Sequence, residues 1–270
     1  MTRAVLILVF LPICVYGQPN CNVYKLKGDS ACYHGCMASN VDFGQGSRQS
    51  QLQFDKAIEL CPTFDYAYSE KAVPYLKQGD FVTWRKLIDK AVELNPIGQL
   101  GYRGWCRFQF IRDYKGAIED IERLSSLTRF DIGYSINSDY HLNVAKALCY
   151  KALGQKEKAI QIMEKQFSEK DYSPMTYDYL HLGVLKMETG DNDGAILYLN
   201  KSIAYNDYMA ENYYYLGLTY KRQKKMKEFK ENMEKAKAYY LKGYKRFDPY
   251  TSPLDKIYLS DIERELNVAN

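Results

Sequence analysis

Between Tyr177 and Tyr205 the chain reads YDYLHLGVLKMETGDNDGAILYLNKSIAY. Leu180, Leu182, Gly183 and Leu185 form one apolar helical pattern, Gly190-Asp191 interrupts it, and Ala195, Ile196, Leu199 and Ile203 form a second. Two amphipathic helices joined by a short turn make a hairpin. Neither helix alone can bury its apolar face, so the rest of the chain must bring neighbours to it.

Those neighbours are further copies. About thirty-four residues on, Tyr213-Tyr214-Tyr215-Leu216-Gly217-Leu218-Thr219-Tyr220 repeats the register of Tyr179 to Lys186, with Gly217 in the place of Gly183. Upstream, Ala147 to Gly154 matches, followed by Ala159, Ile160 and Met163. Ala72 and Tyr75 precede Gly79-Asp80-Phe81, with Ile88, Ala91 and Pro96 behind. Trp105, Phe108, Asp113, Tyr114, Ala117 and Ile121 make another unit. Repeats therefore span about 65–97, 98–139, 140–175, 176–209 and 210–246, one lengthened across Ser125 to Asp139.

This pattern resembles the tetratricopeptide repeat: a large residue, Leu-Gly and Tyr in the first helix, a Gly-Asp turn, Ala in the second helix and often Pro after it. LKQGDF at 76–81 with AVELNP at 91–96, and YYYLGLTY at 213–220, carry it best. Trp84 departs from it by standing where the family has a small Ala, and the unit from 98 carries one extra residue in its first helix, putting Gly104 out of step with Trp105. The last unit replaces Gly-Asp with Lys224-Lys225 and Ala with Phe229. The resemblance implies an all-α fold, a right-handed superhelical solenoid of antiparallel helix pairs.

The flanks read differently. Residues 1–17 have the form of a secretory signal peptide: Arg3, an apolar run from Ala4 to Leu11, and Val15-Tyr16-Gly17 as a cleavage site before Gln18. The expectation is export, periplasmic or secreted, with lipid anchoring at Cys14 as a lesser reading. Cys21, Cys32, Cys36, Cys61, Cys106 and Cys149 remain. In an exported protein Cys21, Cys32, Cys36 and Cys61 are disulfide candidates fastening an N-terminal cap, residues 18–62. Cys32 and Cys36 share a helix face and suit Cys21 or Cys61 better than each other. Buried free thiols, or a zinc site with His34, are the other readings, and small core residues are the reading for Cys106 and Cys149. Asp29 would cap a helix through Ala38, and Gln49 to Leu60 would form the next. At the other end, Lys227 to Arg246 reads as a long polar helix. Beyond it, residues 247–270 read as a Pro-bounded capping segment with a short helix over Leu254 to Leu266, the element best suited to self-association.

Function classes narrow by exclusion. Lys and Arg number 37 against 33 Asp and Glu, a net charge of +4, too mild for a nucleic-acid footprint. The apolar run at the N-terminus is too short for a membrane span, and none is expected in the mature chain. His34, His141 and His181 fall in no metal or haem motif, so no catalytic residue, metal or cofactor is expected. The 26 tyrosines suit a protein interface. In a stack of this kind the first helices line the concave face. That places Tyr66, Ser69, Trp105, Phe108, Gln109, His141, Tyr177, His181, Tyr214, Lys221 and Arg222 in a candidate groove for a protein or peptide partner. The Lys/Asn clamp that some such domains use for a peptide carboxylate is missing, since Ser69, Val73, Val144, Leu148, Leu180 and Val184 hold its positions. The reading is a non-catalytic binding scaffold. The alternative is a structural component of an envelope or secretion assembly acting through its ends or convex face.

Overall fold

The computed structural model describes residues 19–40 and 43–268; the expectations for the signal segment, Cys14 and the cleavage point lie outside them. The chain divides into two compact units, Met1–Pro74 and Tyr75–Asn270.

In the first unit, α1 (Asn22–Leu26) and α2 (Ser30–Ala38) precede α3 (Arg48–Leu60). Asp29 caps α2 by accepting from the Cys32 amide at 2.9 Å, and Ser47 caps α3 through the Ser50 amide. Disulfides join Cys21 to Cys36 and Cys32 to Cys61, with Cα separations of 5.5 and 4.7 Å. The Cys36 pair and the Cys61 pair sit in one small core with Phe54, Ala57, Phe64 and Ala67. Phe64 and Ala67 lie beyond residue 62, so this unit runs further than the expected cap, into α4 (Asp65–Gln78).

The second unit is a stack of helix pairs. After α5 (Phe81–Leu94) come α6 (Pro96–Cys106), a π-helical segment (Arg107–Ile111) and α7 (Tyr114–Leu127). Then follow α8 (Leu142–Ala152) with α9 (Lys156–Ser168), α10 (Asp178–Glu188) with α11 (Asn192–Tyr205), and α12 (Ala210–Arg222) with α13 (Met226–Leu241). A last helix, α14 (Leu259–Val268), packs on α13. α6 packs on α7, α8 on α9, α10 on α11 and α12 on α13, while α5 on α6, α7 on α8 and α11 on α12 link one pair to the next. Among the described residues there is no strand, only an isolated antiparallel bridge from Tyr134 to His141. The chain is an all-α solenoid of paired helices.

The turns inside the pairs are near copies of one another. Gly79, Arg112, Gly154, Gly190 and Lys224 all have positive φ, between 59° and 88°. Each is followed by the N-cap of the second helix, and Asp80, Asp113 and Asp191 accept from Thr83, Gly116 and Gly194 amides there. Close helix contact explains the small residues. A Cβ on Gly183 would stand 2.7 Å from Leu199 Cγ, and one on Gly217 3.0 Å from Met233 Cε. Gly104 plays the same part, 3.1 Å from Ile121 Cγ1. The extra residue that follows it is taken up in the π-helical turn, whose wider i→i+5 ring absorbs one residue without breaking the helix. Trp84, only 2% exposed, fills the space that a small residue would leave.

Two boundaries differ from expectation at the C-terminal end. The long polar helix stops at Leu241, because Gly243 at φ +82° turns the chain, so Lys245 and Arg246 are not helical. The final helix begins at Leu259, since Asp255 at φ +60° holds a turn where the helix was expected to start.

Candidate partner-binding face

The segment that leaves α13 folds back along the first helices of the second unit. Arg246, nine-tenths and more buried, is its anchor. Its backbone amide donates to Glu211 Oε1 of α12 at 3.0 Å. Its guanidinium stacks over the Tyr177 ring, 4.1 Å from the centroid, and donates to Tyr140 Oη at 2.6 Å and to His181 Nε2 at 3.2 Å. Asp255, nine residues on, reaches His181 Nδ1 at 2.6 Å and Lys151 Nζ of α8 at 2.5 Å. Between them Thr251 accepts from Gln109 Nε2 at 2.9 Å, and the Ser252 carbonyl accepts from Arg112 at 3.1 Å, both at the π-helical segment. Tyr250 lies beside Phe110 and under the Lys77 ammonium of α4.

These contacts assign the histidine. A guanidinium can only donate, so His181 Nε2 is the acceptor and Nδ1 carries the proton that goes to Asp255. The imidazole is neutral, and its contact with Asp255 is a hydrogen bond between a neutral donor and a carboxylate. Burial explains this, holding the His181 pKa at about 4 against the pull of Asp255, with Arg246 and Lys151 adding to the depression. Burial alone would raise the Asp255 carboxyl, but Lys151 and the His181 hydrogen bond outweigh it and hold it below the ordinary carboxylate range. Burial pushes the Tyr140 hydroxyl up to about 12, opposed by Arg246.

The predicted groove residues take several places. Gln109, Tyr177 and His181 touch the returning segment directly, while Lys221 binds Glu265 of α14 at 2.7 Å. Tyr214 lies in the core with Ile257 and Ile262. Trp105, 6% exposed, and Phe108 are core residues, packed edge-on to Phe110 and Tyr140 respectively. His141 is buried as the N-cap of α8: Nδ1 accepts from the Asn143 amide and Nε2 donates to Asp131 at 2.8 Å. Burial lowers its pKa against the opposing Asp131. Arg222 donates to the Met187 carbonyl, and Tyr66 and Ser69 belong to the first unit, where Tyr66 packs on Phe64.

Tyr140, Lys151, Glu211, Arg246 and Asp255 were not singled out in sequence. Arg246 falls after α13, which ends at Leu241, and Asp255 lies beyond the last repeat, so no periodic pattern marks them, and the pairs they make span 30 to 100 residues of chain or more. Elsewhere, a cleft of ≈ 470 Å³ lies between α5 and the π-helical segment, lined by Phe81, Trp84, Arg107 and Ile111 among others. Among the described residues no group of three or more His, Cys, Asp or Glu could hold a metal ion, and no helix is long and apolar enough to cross a membrane.

Residues 140–170 match the family model described as tetratricopeptide repeat. No curated protein matches the chain. Among solved structures, PilF of Pseudomonas aeruginosa superposes with a TM-score of 0.60 at 13% identity, over 91% of this chain and 94% of that one. PilW, described as a widely conserved type IV pilus biogenesis factor, gives 0.59 at 14% identity over 82% and 90%. YrrB, described as a TPR protein with an unusual peptide-binding site, gives 0.52 at 19% identity over 69% and 91%. At these identities the likeness is one of fold.

Proposed function

We propose that this chain is a non-catalytic scaffold that takes a segment of another protein on the face lined by its first helices. One observation carries the reading: that face already accommodates an irregular peptide segment, residues 246–257, through aromatic stacking, buried hydrogen bonds and one buried ion pair. Burial of a few anchors plus backbone and side-chain hydrogen bonds is how helical grooves take peptides. A peptide-binding site in the similarly folded YrrB supports the same reading. Export is part of it: the signal-like segment and the two disulfides of the first unit suit an oxidising compartment. Self-association through Leu254 to Leu266 is the weaker use of that segment, because Ile257 and Ile262 are already buried within the chain.

A specific observation favours the alternative, an assembly component that works through another surface. The loop between α7 and α8 leaves Phe130 86% and Ile136 73% exposed. Pilus biogenesis in the similarly folded PilW fits such a component.

The test is capture of partners from the native cells by the full chain and two folded variants. Gln109→Ala/Tyr177→Ala alters the first-helix face, and Phe130→Ser/Ile136→Ser alters the exposed loop. Trp105 is unsuited to this purpose because it is core. A partner lost only by the first variant supports the first-helix face; one lost only by the second moves the binding site to the loop.

A further inference from the structure

Residues 246–255 form a closed loop. Arg246 Nη1 donates to the Leu254 carbonyl at 2.5 Å, which ties the two ends together. Asp248 accepts from the Tyr250 and Thr251 amides at 2.8 and 2.6 Å, which sets the bend at the tip. The loop carries both charges of its docking contact, Arg246 and Asp255. The groups that receive them all come from the solenoid: Lys151 of α8, His181 of α10, and the tyrosines Tyr140 and Tyr177 ahead of α8 and α10, while Glu211 of α12 takes the Arg246 backbone amide.

With the loop lifted away, that face keeps two adjoining subsites. One offers cationic and donor groups, Lys151 Nζ and His181 Nδ1–H. Among the described residues Lys151 then keeps Glu188, 3.7 Å away, and its side chain is 8% exposed with the loop in place. The other offers an aromatic and acceptor cradle for a guanidinium, made by the Tyr177 face, Tyr140 Oη and His181 Nε2, with Glu211 Oε1 beside it as acceptor for the backbone amide of the same arginine. Buried groups of this kind demand partners, and partners of one charge order only. The loop meets the demand at a conformational cost, since Asp255 sits at φ +60°, a region that a non-glycine residue enters only when its surroundings hold it there. The last helix is held separately, by Lys221 to Glu265 at 2.7 Å and Lys237 to Glu263 at 3.1 Å.

We infer that residues 246–255 are a built-in occupant of a two-charge docking site, and that the external ligand of this site is a protein loop presenting one guanidinium and one carboxylate in the same arrangement. The inference rests on the first-helix face being the binding face. Own loop and partner loop compete, so the partner's apparent affinity is reduced by the fraction of molecules whose site is filled in cis.

The test uses the full chain and, as probe, a fluorescein-labelled synthetic peptide of residues 244–258. Arg246→Ala/Asp255→Ala empties the site and leaves its receiving groups intact. The probe should bind this variant at least roughly tenfold more tightly than the wild type, and adding Lys151→Ala should remove most of that gain. Equal binding to both proteins, indifference to Lys151→Ala, or no binding by a variant with wild-type circular dichroism overturns the inference. If the double variant does not fold, Asp255→Asn is followed by amide exchange. Faster exchange at Tyr250 and Thr251, with Ile262 unchanged, supports a separable loop; joint loosening of the loop and α14 overturns it. Probe binding without any captured cellular partner would sink the scaffold reading and spare the site, whereas a partner captured equally by the wild type and Arg246→Ala/Asp255→Ala, with no probe binding, would do the reverse.

Discussion

Lys224 shows how much one residue type matters at one backbone position. It stands at φ +60° where the equivalent turns have Gly79, Gly154 and Gly190. A side chain with a Cβ is disfavoured in this region and glycine is not. Lys224→Gly should therefore raise stability by roughly 0.5–1 kcal/mol in urea unfolding. Arg112 has the same backbone strain, but its guanidinium bonds the Ser252 carbonyl, so its replacement should gain less. His181 supplies a pH prediction. Its folded pKa is about 4 against 6.5 ordinarily, so the unfolded chain binds more protons between those values. Its contribution to stability is complete above pH 6.5 and is lost as pH falls toward 4, amounting to about 3 kcal/mol. Asp178, raised to about 6 by burial against its Tyr172 and Met175 hydrogen bonds, and Glu211, raised by burial, act in the opposite sense. Asp255, Arg246, Lys151 and Tyr140 face His181, and Asp255, held below the ordinary carboxylate range, loses its own contribution only at lower pH than the histidine does. The comparison with His181→Gln isolates the histidine: unfolding curves of the two proteins should converge as pH drops from 6.5 to 4, and parallel curves would refute the neutral assignment.

At the scale of elements, the helix pairs are legible in sequence because their determinants are local. Apolar spacing marks each helix, and an Asp after a left-handed residue marks three of the five turns, at Asp80, Asp113 and Asp191, while Gln155 and Lys225 hold that place in the other two. The extra residue near Trp105 was visible too; the π-helical turn that absorbs it follows from keeping Gly104 against Ile121. Gly183 is the sharpest test of this packing. Its Cβ would stand 2.7 Å from Leu199 Cγ, so Gly183→Ala should cost roughly 1–3 kcal/mol despite the better helix propensity of alanine. A stabilised variant, measured by thermal unfolding, would mean that α10 and α11 are not packed this closely. The ends of α13 and the start of α14 were less legible, since Gly243 and Asp255 stop or delay helices whose apolar pattern runs on.

For the whole molecule, the two units rest on different chemistry. The first has a small core in which four cysteines are joined in pairs across sequence separations of 15 and 29. The second has Cys106 and Cys149, whose buried thiols are raised well above the ordinary cysteine range and are poor nucleophiles. Reduction should therefore loosen one unit and spare the other. A reductant is expected to remove roughly 2–5 kcal/mol per bridge from the first unit. Amide exchange should speed up across α2 and α3 and stay unchanged across α8 to α12. Equal acceleration in both units would count against this division.

Local pattern alone specifies the class of fold, the turn positions, the small-residue contacts and the cysteines available for pairing. Each depends on residues within one hairpin or on a period that recurs along the chain. What lies against the first helices is set by long-range packing instead. Arg246 and Asp255 sit past the last helix pair, and their partners Tyr140, Lys151, His181 and Glu211 are spread over four separate stretches. Nothing in local periodicity relates an arginine after one helix to a lysine at the end of another. What brings them together is the need of buried charges for partners once Gly243 has turned the chain back, a constraint that exists only after the solenoid has formed.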